Sequence, residues 1–197
     1  MTLCAQRHRG FTLVELMVTI AILAILLMIA VPGFRDLTRR QQLSSAGYAL
    51  LADLSYARTE AAMRSAFVSV CPTADGTSCV TSKAYAPGWL VYAYAAGVAG
   101  ADQAYQSGSA DFTLLRYTTS QSGVAITAKD DKIITYGQQG QLKRDTSTAP
   151  VAFVACALGK DRSAENTAGV PGSALSVSGS GSVKSLPLSS GAECTPT

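Results

Sequence analysis

Histidine is nearly missing from this chain. Its one copy, His8, precedes a long apolar run, so nothing downstream offers an imidazole for metal binding or for proton transfer near neutral pH. No G-x-S-x-G, G-x-x-x-x-G-K-[ST] or G-x-G-x-x-G spacing occurs either. That removes the usual signatures of serine hydrolysis, phosphate cradling and dinucleotide binding. The many serines then read as turn and strand-surface residues, the adjacent acids Asp130 and Asp131 as a loop between strands, and Asp75-Gly76 as a turn. Charge is scarce as well, at 15% of residues. The formal net charge is +3; setting aside residues 1–10, with Arg7 and Arg9, lowers the basic count from 16 to 14 against 13 acids. So even a balance gives no global electrostatic case for nucleic acid. The expectation is a chain with no enzymatic activity, no cofactor and no metal.

What the chain has in excess is one uninterrupted apolar run. Phe11 to Val31, FTLVELMVTIAILAILLMIAV, carries a single charge, Glu15, and none from Leu16 onward. An apolar helix of about 20 residues spans a hydrocarbon core of roughly 30 Å. Arg7 and Arg9 ahead of it keep that end cytoplasmic, so the simplest reading is a single-pass anchor. Glu15 asks for more, because an ionisable group in a membrane segment costs about 2.5–3.5 kcal/mol. A cut between Gly10 and Phe11 creates an α-ammonium one helical turn from this acid. Such an amine can neutralise the carboxylate of a neighbouring copy, pairing the buried charges on assembly. Three other readings stand beside it. Glu15 can lie in the headgroup zone of a plain anchor. A secretory signal peptide lacks support, since no convincing A-x-A cleavage site follows the apolar core and glutamate inside such a core is unusual. A surface helix is disfavoured because the later positions are apolar on every face.

The run Arg9-Gly10-Phe11-Thr12-Leu13-Val14-Glu15 resembles the prepilin processing signature of type IV pilins and type II secretion pseudopilins. The resemblance implies cleavage after Gly10 by a prepilin peptidase, N-methylation of Phe11, and a role for Glu15 in docking into a growing helical filament. The implied partners are that peptidase, other minor and major pilins or pseudopilins, and inner-membrane lipid. The implied location is the bacterial inner membrane, with a cytoplasmic N-terminus and a periplasmic C-terminal domain, and then a pilus or pseudopilus.

Pro32 and Gly33 are expected to kink the first helix without ending it. Helical periodicity resumes through Leu43, Ala46, Leu50, Leu54, Ala57 and Ala61, with Arg39, Arg40, Asp53, Arg58, Glu60 and Arg64 on other positions. This predicts one long kinked helix of roughly 80 Å, amphipathic in its second half, whose Leu/Ala stripe packs on a globular domain. A coiled coil is the competing reading, disfavoured by a short, alanine-rich stripe. From Ala66 the pattern has period two. Expected strands are Phe67–Val70 running into Cys71-Pro72, Trp89–Tyr94 after Pro87-Gly88, Phe112–Tyr117, Val124–Ala128, Lys132–Tyr136 and Val151–Ala157. The Gly/Ser-rich end reads either as a flexible tail or as a hairpin, with Leu175 and Val177 turning through Ser178–Gly181 into Val183–Leu188. The fold class is α+β, with antiparallel sheets or a β-sandwich on the long helix. The expected divisions are a leader (1–10), a transmembrane and filament-core helix (11–32), the amphipathic half (33–65) and a β-rich domain (66–197).

Of five cysteines, Cys4 lies in the leader. Cys71, Cys79, Cys156 and Cys194 remain, an even number in a region expected to meet an oxidising compartment. They allow three pairings. The preferred one joins Cys71 to Cys79 across a short turn-rich loop and Cys156 to Cys194, fastening the C-terminus to an earlier strand. Zinc is the weaker alternative, for want of C-x-x-C spacing and of histidine.

The segment Leu54-Ser55-Tyr56-Ala57-Arg58-Thr59-Glu60-Ala61, the strand into Cys71, and Gly88-Trp89-Leu90-Val91-Tyr92 together resemble the GspH/FimT/FimU family of minor pilins and pseudopilins. That resemblance implies the type IV pilin fold and a place at or near a filament tip, where such subunits help to initiate assembly. Some FimT-type relatives bind DNA for uptake through a Gly-Arg-x-Arg-like motif near the C-terminus. The corresponding place here, Gly181-Ser182-Val183-Lys184, keeps the glycine and one base and lacks both arginines. Lys143, Arg144, Lys160 and Arg162 make a patch with Lys184 if folding gathers them. Ordinary solvated surface charge is the simpler explanation, so nucleic acid is a possible partner but not the favoured one.

Overall fold

A computed structural model describes residues 10–97, 100–144 and 150–197, with the backbone alone at 29–32. One helix leads: α1 (Leu13–Arg64). After it come β1 (Phe67–Pro72), β2 (Trp89–Tyr94), β3 (Phe112–Thr118), β4 (Val124–Ala128), β5 (Ile134–Tyr136), β6 (Val151–Leu158), β7 (Ala164–Glu165), β8 (Ser173–Val177) and β9 (Val183–Pro187). The chain divides into two units, Met1–Thr38 and Arg39–Thr197.

In the first unit α1 starts at a cap. Thr12 accepts the Glu15 N–H on its Oγ1 at 3.2 Å, while its carbonyl accepts the Leu16 N–H. A threonine with glutamate three residues on is a strong helix start, and an acid in the first turn suits the helix dipole. From Phe11 to Met28 every large apolar side chain is at least half exposed. No single helix among the described residues is long and apolar enough to cross a membrane. The pair Leu13–Met28 and Gly33–Arg64 meets that test together, by length and composition. The expected kink at Pro32 lies outside the described side chains.

In the second unit the Leu/Ala stripe is the core face of α1. Leu43, Ala46, Leu50, Leu54, Ala57 and Ala61 are buried in one cluster with residues from both sheets. The helix ends at Ser65, whose φ of 50° is left-handed, and the Ala66 N–H closes back onto the Ala61 carbonyl.

The first sheet has the order β3-β2-β1-β5, antiparallel throughout. Every residue of β1 and β2 is buried, because both faces of this sheet are covered. Alternation sorts the side chains. Val68, Val70, Trp89, Val91 and Ala93 join the cluster that includes α1. Phe67, Cys71, Leu90, Tyr92 and Tyr94 form a second cluster with Tyr105, on which Phe112 of β3 and the loop residues Cys79, Ala101 and Ile133 pack. The second sheet runs β4-β6-β8-β9, with β7 also paired to β6.

The Gly/Ser-rich end is a hairpin, β8 to β9, in register from Ser173↔Pro187 to Val177↔Val183. Its turn needs Gly181: φ is +81°, and a β-carbon there would collide with the Gly140 carbonyl and press on Arg58. The two-residue β7 has no counterpart in the expected strands, being too short to show a period. This helix on antiparallel sheets is the type IV pilin fold.

Candidate functional site

Among the described residues no group of three or more His, Cys, Asp or Glu side chains is placed to hold a metal. The residues singled out from the sequence fall into three places.

The first is the head of α1. Gly10 and Glu15 are exposed, and Phe11 is 79% exposed. Cys4, Arg7, His8 and Arg9 lie outside the described residues. Thr12 fixes the turn in which Glu15 sits, so its carboxylate leaves the helix at a defined height. Among the described residues no side chain pairs with it.

The second is the pair of disulfides. Cys71 is bonded to Cys79, Cα atoms 5.6 Å apart, at the end of β1. The loop between them is built on Asp75, whose carboxylate accepts the Thr77 hydroxyl and the backbone N–H groups of Thr77 and Ser78. Those bonds, the Thr77 hydroxyl's first, hold its pKa down at about 2. Cys156 on β6 is bonded to Cys194, and Asn166 donates its amide to the Ser189 and Ala192 carbonyls, so the last residues are tied to the second sheet.

The third is the set of basic residues, which the fold does not gather. Arg144 is a correction to the expected patch: its side chain is 6% exposed and pairs with Asp130 at 2.6 Å. Burial pushes the Asp130 carboxyl up, but the Arg144 hydrogen bond, the Lys132 N–H and their charges outweigh it, so it stays below its ordinary value. Lys160 and Arg162 are exposed in the turn joining β6 to β7, beyond Leu158. Lys184 pairs with Ser176, which pairs with Ala152 near the other end of β6. Residues 152 to 158 span about 20 Å of strand, which separates the two groups. Lys143 belongs at the Lys184 end, since its neighbour Leu142 donates to the Gly179 carbonyl in the β8–β9 turn.

One residue that sequence reasoning placed off the buried face belongs at its centre. Asp53 is 3% exposed and accepts hydrogen bonds from Trp89 Nε1 (2.8 Å), Thr118 Oγ1 (2.5 Å) and Arg116 (2.5 Å). The Arg116 guanidinium in turn lies 4.4 Å from the ring centre of Tyr56. A buried carboxylate with three donors ties α1 to β2 and β3. The signal was there: position 53 lies three after Leu50 and four before Ala57, inside the stripe, and a lone buried indole needs an acceptor.

With the fold and these positions in hand, comparison with known proteins defines the class. A family model described as type II transport protein GspH matches residues 46–181, more than half of the chain. The prokaryotic N-terminal methylation motif matches residues 5–31. The chain belongs to the GspH family of pilin-like proteins. In fold it is similar to the type IV minor pilin FimU of Pseudomonas aeruginosa, with a TM-score of 0.52 and 22% identity, covering 77% of this chain and 92% of that one. Fimbrial protein EcpC of Eikenella corrodens is 51% identical over 41 residues, 21% of this chain and 27% of that protein. The type IV major pilin protein PilE1 of Neisseria gonorrhoeae is 53% identical over 39 residues, 20% and 24% of the two chains. The chain thus spans about a quarter of the length of the curated relatives it matches.

Proposed function

We propose that this chain is a minor pilin or pseudopilin, held in the inner membrane until a prepilin peptidase cuts after Gly10 and the new amine of Phe11 is methylated. The subunit then enters a type IV pilus or a type II secretion pseudopilus at or near its tip and supports assembly with other pilins. Its mechanism is association, not turnover. Glu15 meets the amine of a neighbouring subunit and sets axial register, while Phe11 to Val31 pack with equivalent helices. The β-rich unit stays outside the bundle and selects partners. In this reading residues 1–10 are leader, 11–32 membrane and filament-core helix, 33–65 the domain helix and 66–197 the outward domain.

The observation that carries the reading is a capped, apolar, laterally exposed helix bearing one carboxylate that no side chain among the described residues pairs with. Such a surface has every reason to find a partner. The test is to replace Glu15 by alanine and measure incorporation into sheared filaments. Incorporation should fall severely with the β-rich unit still folded. Normal incorporation would remove the role assigned to Glu15.

The DNA-capturing alternative loses Arg144 to the interior and Lys160 with Arg162 to the far end of β6. A salt titration decides it, because duplex affinity falls by about 0.9 log units per log unit of salt for each phosphate contact.

A further inference from the structure

The loop closed by Cys71 and Cys79 also holds a second loop, far from it in sequence. Ser78 forms an isolated antiparallel bridge with Gln106, and the Ser107 N–H donates to the Thr77 carbonyl at 3.1 Å. The Tyr105 N–H points at Cys79 Sγ at 3.3 Å. Cys79 Sγ also lies 3.6 Å from Tyr92 Oη. That contact is packing: a disulfide sulfur has no proton, and the Tyr92 hydroxyl gives its own to the Gln103 carbonyl at 2.6 Å. The segment so held covers the aromatic face of the first sheet. Tyr105 sits 5.3 Å from the Tyr92 ring and 6.0 Å from Phe112, and is 8% exposed.

One end of this covering segment is fastened differently. The Asp102 N–H donates to Thr135 Oγ1, and Thr135 Oγ1 donates to Asp102 Oδ1 at 2.7 Å. Thr135 belongs to β5, outside the loop that the disulfide closes. So the segment is fixed at Asp102 on one side and runs into β3 at Phe112 on the other, and the disulfide loop holds its middle.

We propose that residues 105–109 form a redox-dependent lid, its Tyr105 clasped against Tyr92 and Phe112 while Cys71–Cys79 is closed, and loosened between its fixed ends at Asp102 and Phe112 when it is open. The clasp forms by thiol–disulfide exchange with a dithiol-disulfide protein. One thiolate attacks the donor's S–S bond, the second displaces the mixed disulfide, and the donor leaves as a dithiol carrying the two electrons and two protons. The loop's remaining bonds, from Val80 N–H to the Pro72 carbonyl and from the Thr73 hydroxyl to the Ser78 carbonyl, keep part of the population closed after reduction. They set how far the lid opens. The second disulfide is a built-in control, since it ties the C-terminal residues to β6 in the other sheet.

The test is amide hydrogen exchange on the full-length chain in detergent, comparing wild type with Cys71→Ser/Cys79→Ser and with Cys156→Ser/Cys194→Ser. In the first variant the amides of Tyr105 and Ser107 should exchange at least about tenfold faster, with those of Asp102 and Gln103 little changed. In the second variant 105–109 should keep wild-type protection. Unchanged exchange at 105–109 in the first variant, or an equal rise in both, overturns the proposal. If the first variant does not fold, the folded wild type is reduced with a phosphine. The S–S bond then becomes two thiols, and the phosphine takes its oxygen from water and leaves as the oxide. Loss of protection in β1 and β2 together with 105–109 would then count against a lid, and loss confined to 105–109 would support it.

Discussion

Glu15 and Asp53 stand on the same helix, and their surroundings differ in every respect that matters to a carboxylate. Asp53 is buried and accepts from an indole, a hydroxyl and a guanidinium. Glu15 is exposed, with no side chain among the described residues paired to it. The apolar residues around them follow the same division. Leu50 and Leu54 are fully buried, while Leu23 and Ile25 are more than half exposed. The C-terminal part of α1 completes its interactions inside one molecule. The N-terminal part leaves its apolar faces and the Glu15 carboxylate without partners among the described residues.

That contrast can be broken by substitution. Asp53→Ala leaves the buried Trp89 indole without an acceptor and removes the Thr118 and Arg116 bonds, and should lower the stability of the β-rich unit by about 2–4 kcal/mol. Denaturant unfolding of the full chain in detergent, followed by Trp89 fluorescence, measures it. Glu15→Ala should move the same midpoint by less than about 0.5 kcal/mol. Comparable losses in the two variants would erase the distinction. Leu50→Ala should cost about 2–5 kcal/mol through its cavity, and Leu23→Ala nothing measurable in the same unfolding curve. Gly181→Ala should cost about 1–3 kcal/mol, from the positive φ and the collision with Gly140.

Acid sharpens the contrast more gently. The carboxyls of Asp75 and Asp130 are held below their ordinary value, so their stabilisation is complete above about pH 4 and is lost as pH falls through the depressed values. Asp75 sets the lower edge, at about pH 2. Thermal melts should be flat from neutral pH to about 5 and decline below about 4, and Asp130→Asn should reduce that decline. A steeper decline in the variant would reverse the sign of this assignment.

Much of the fold was legible because its periods are clean. Six stripe residues from Leu43 to Ala61 gave the buried helix face, and β1, β2 and β4 begin and end on apolar alternation bounded by Pro, Gly or turn residues. The sequence did not show that β1 and β2 are buried on both faces. That depends on loops 73–81 and 101–110 folding back over the sheet, a long-range event with no local signal. Asp53 carries a charge, which argues for the solvent face, yet its position within the stripe and its three donors put it in the interior. Arg144 gave no signal at all: its partner Asp130 is paired by the meeting of two loops, and nothing around residue 144 marks a buried cation. The basic residues near it in sequence remained visible as charges, but whether charges share a surface is a property of the tertiary fold.

The central claim is that the N-terminal segment is an unfinished surface made ready by a single cut. Intact-mass and N-terminal peptide analysis of the protein taken from its native cells tests this most directly. The account predicts a chain beginning at Phe11 with a methylated amine. A chain still beginning at Met1, or one trimmed beyond Val31, would contradict it.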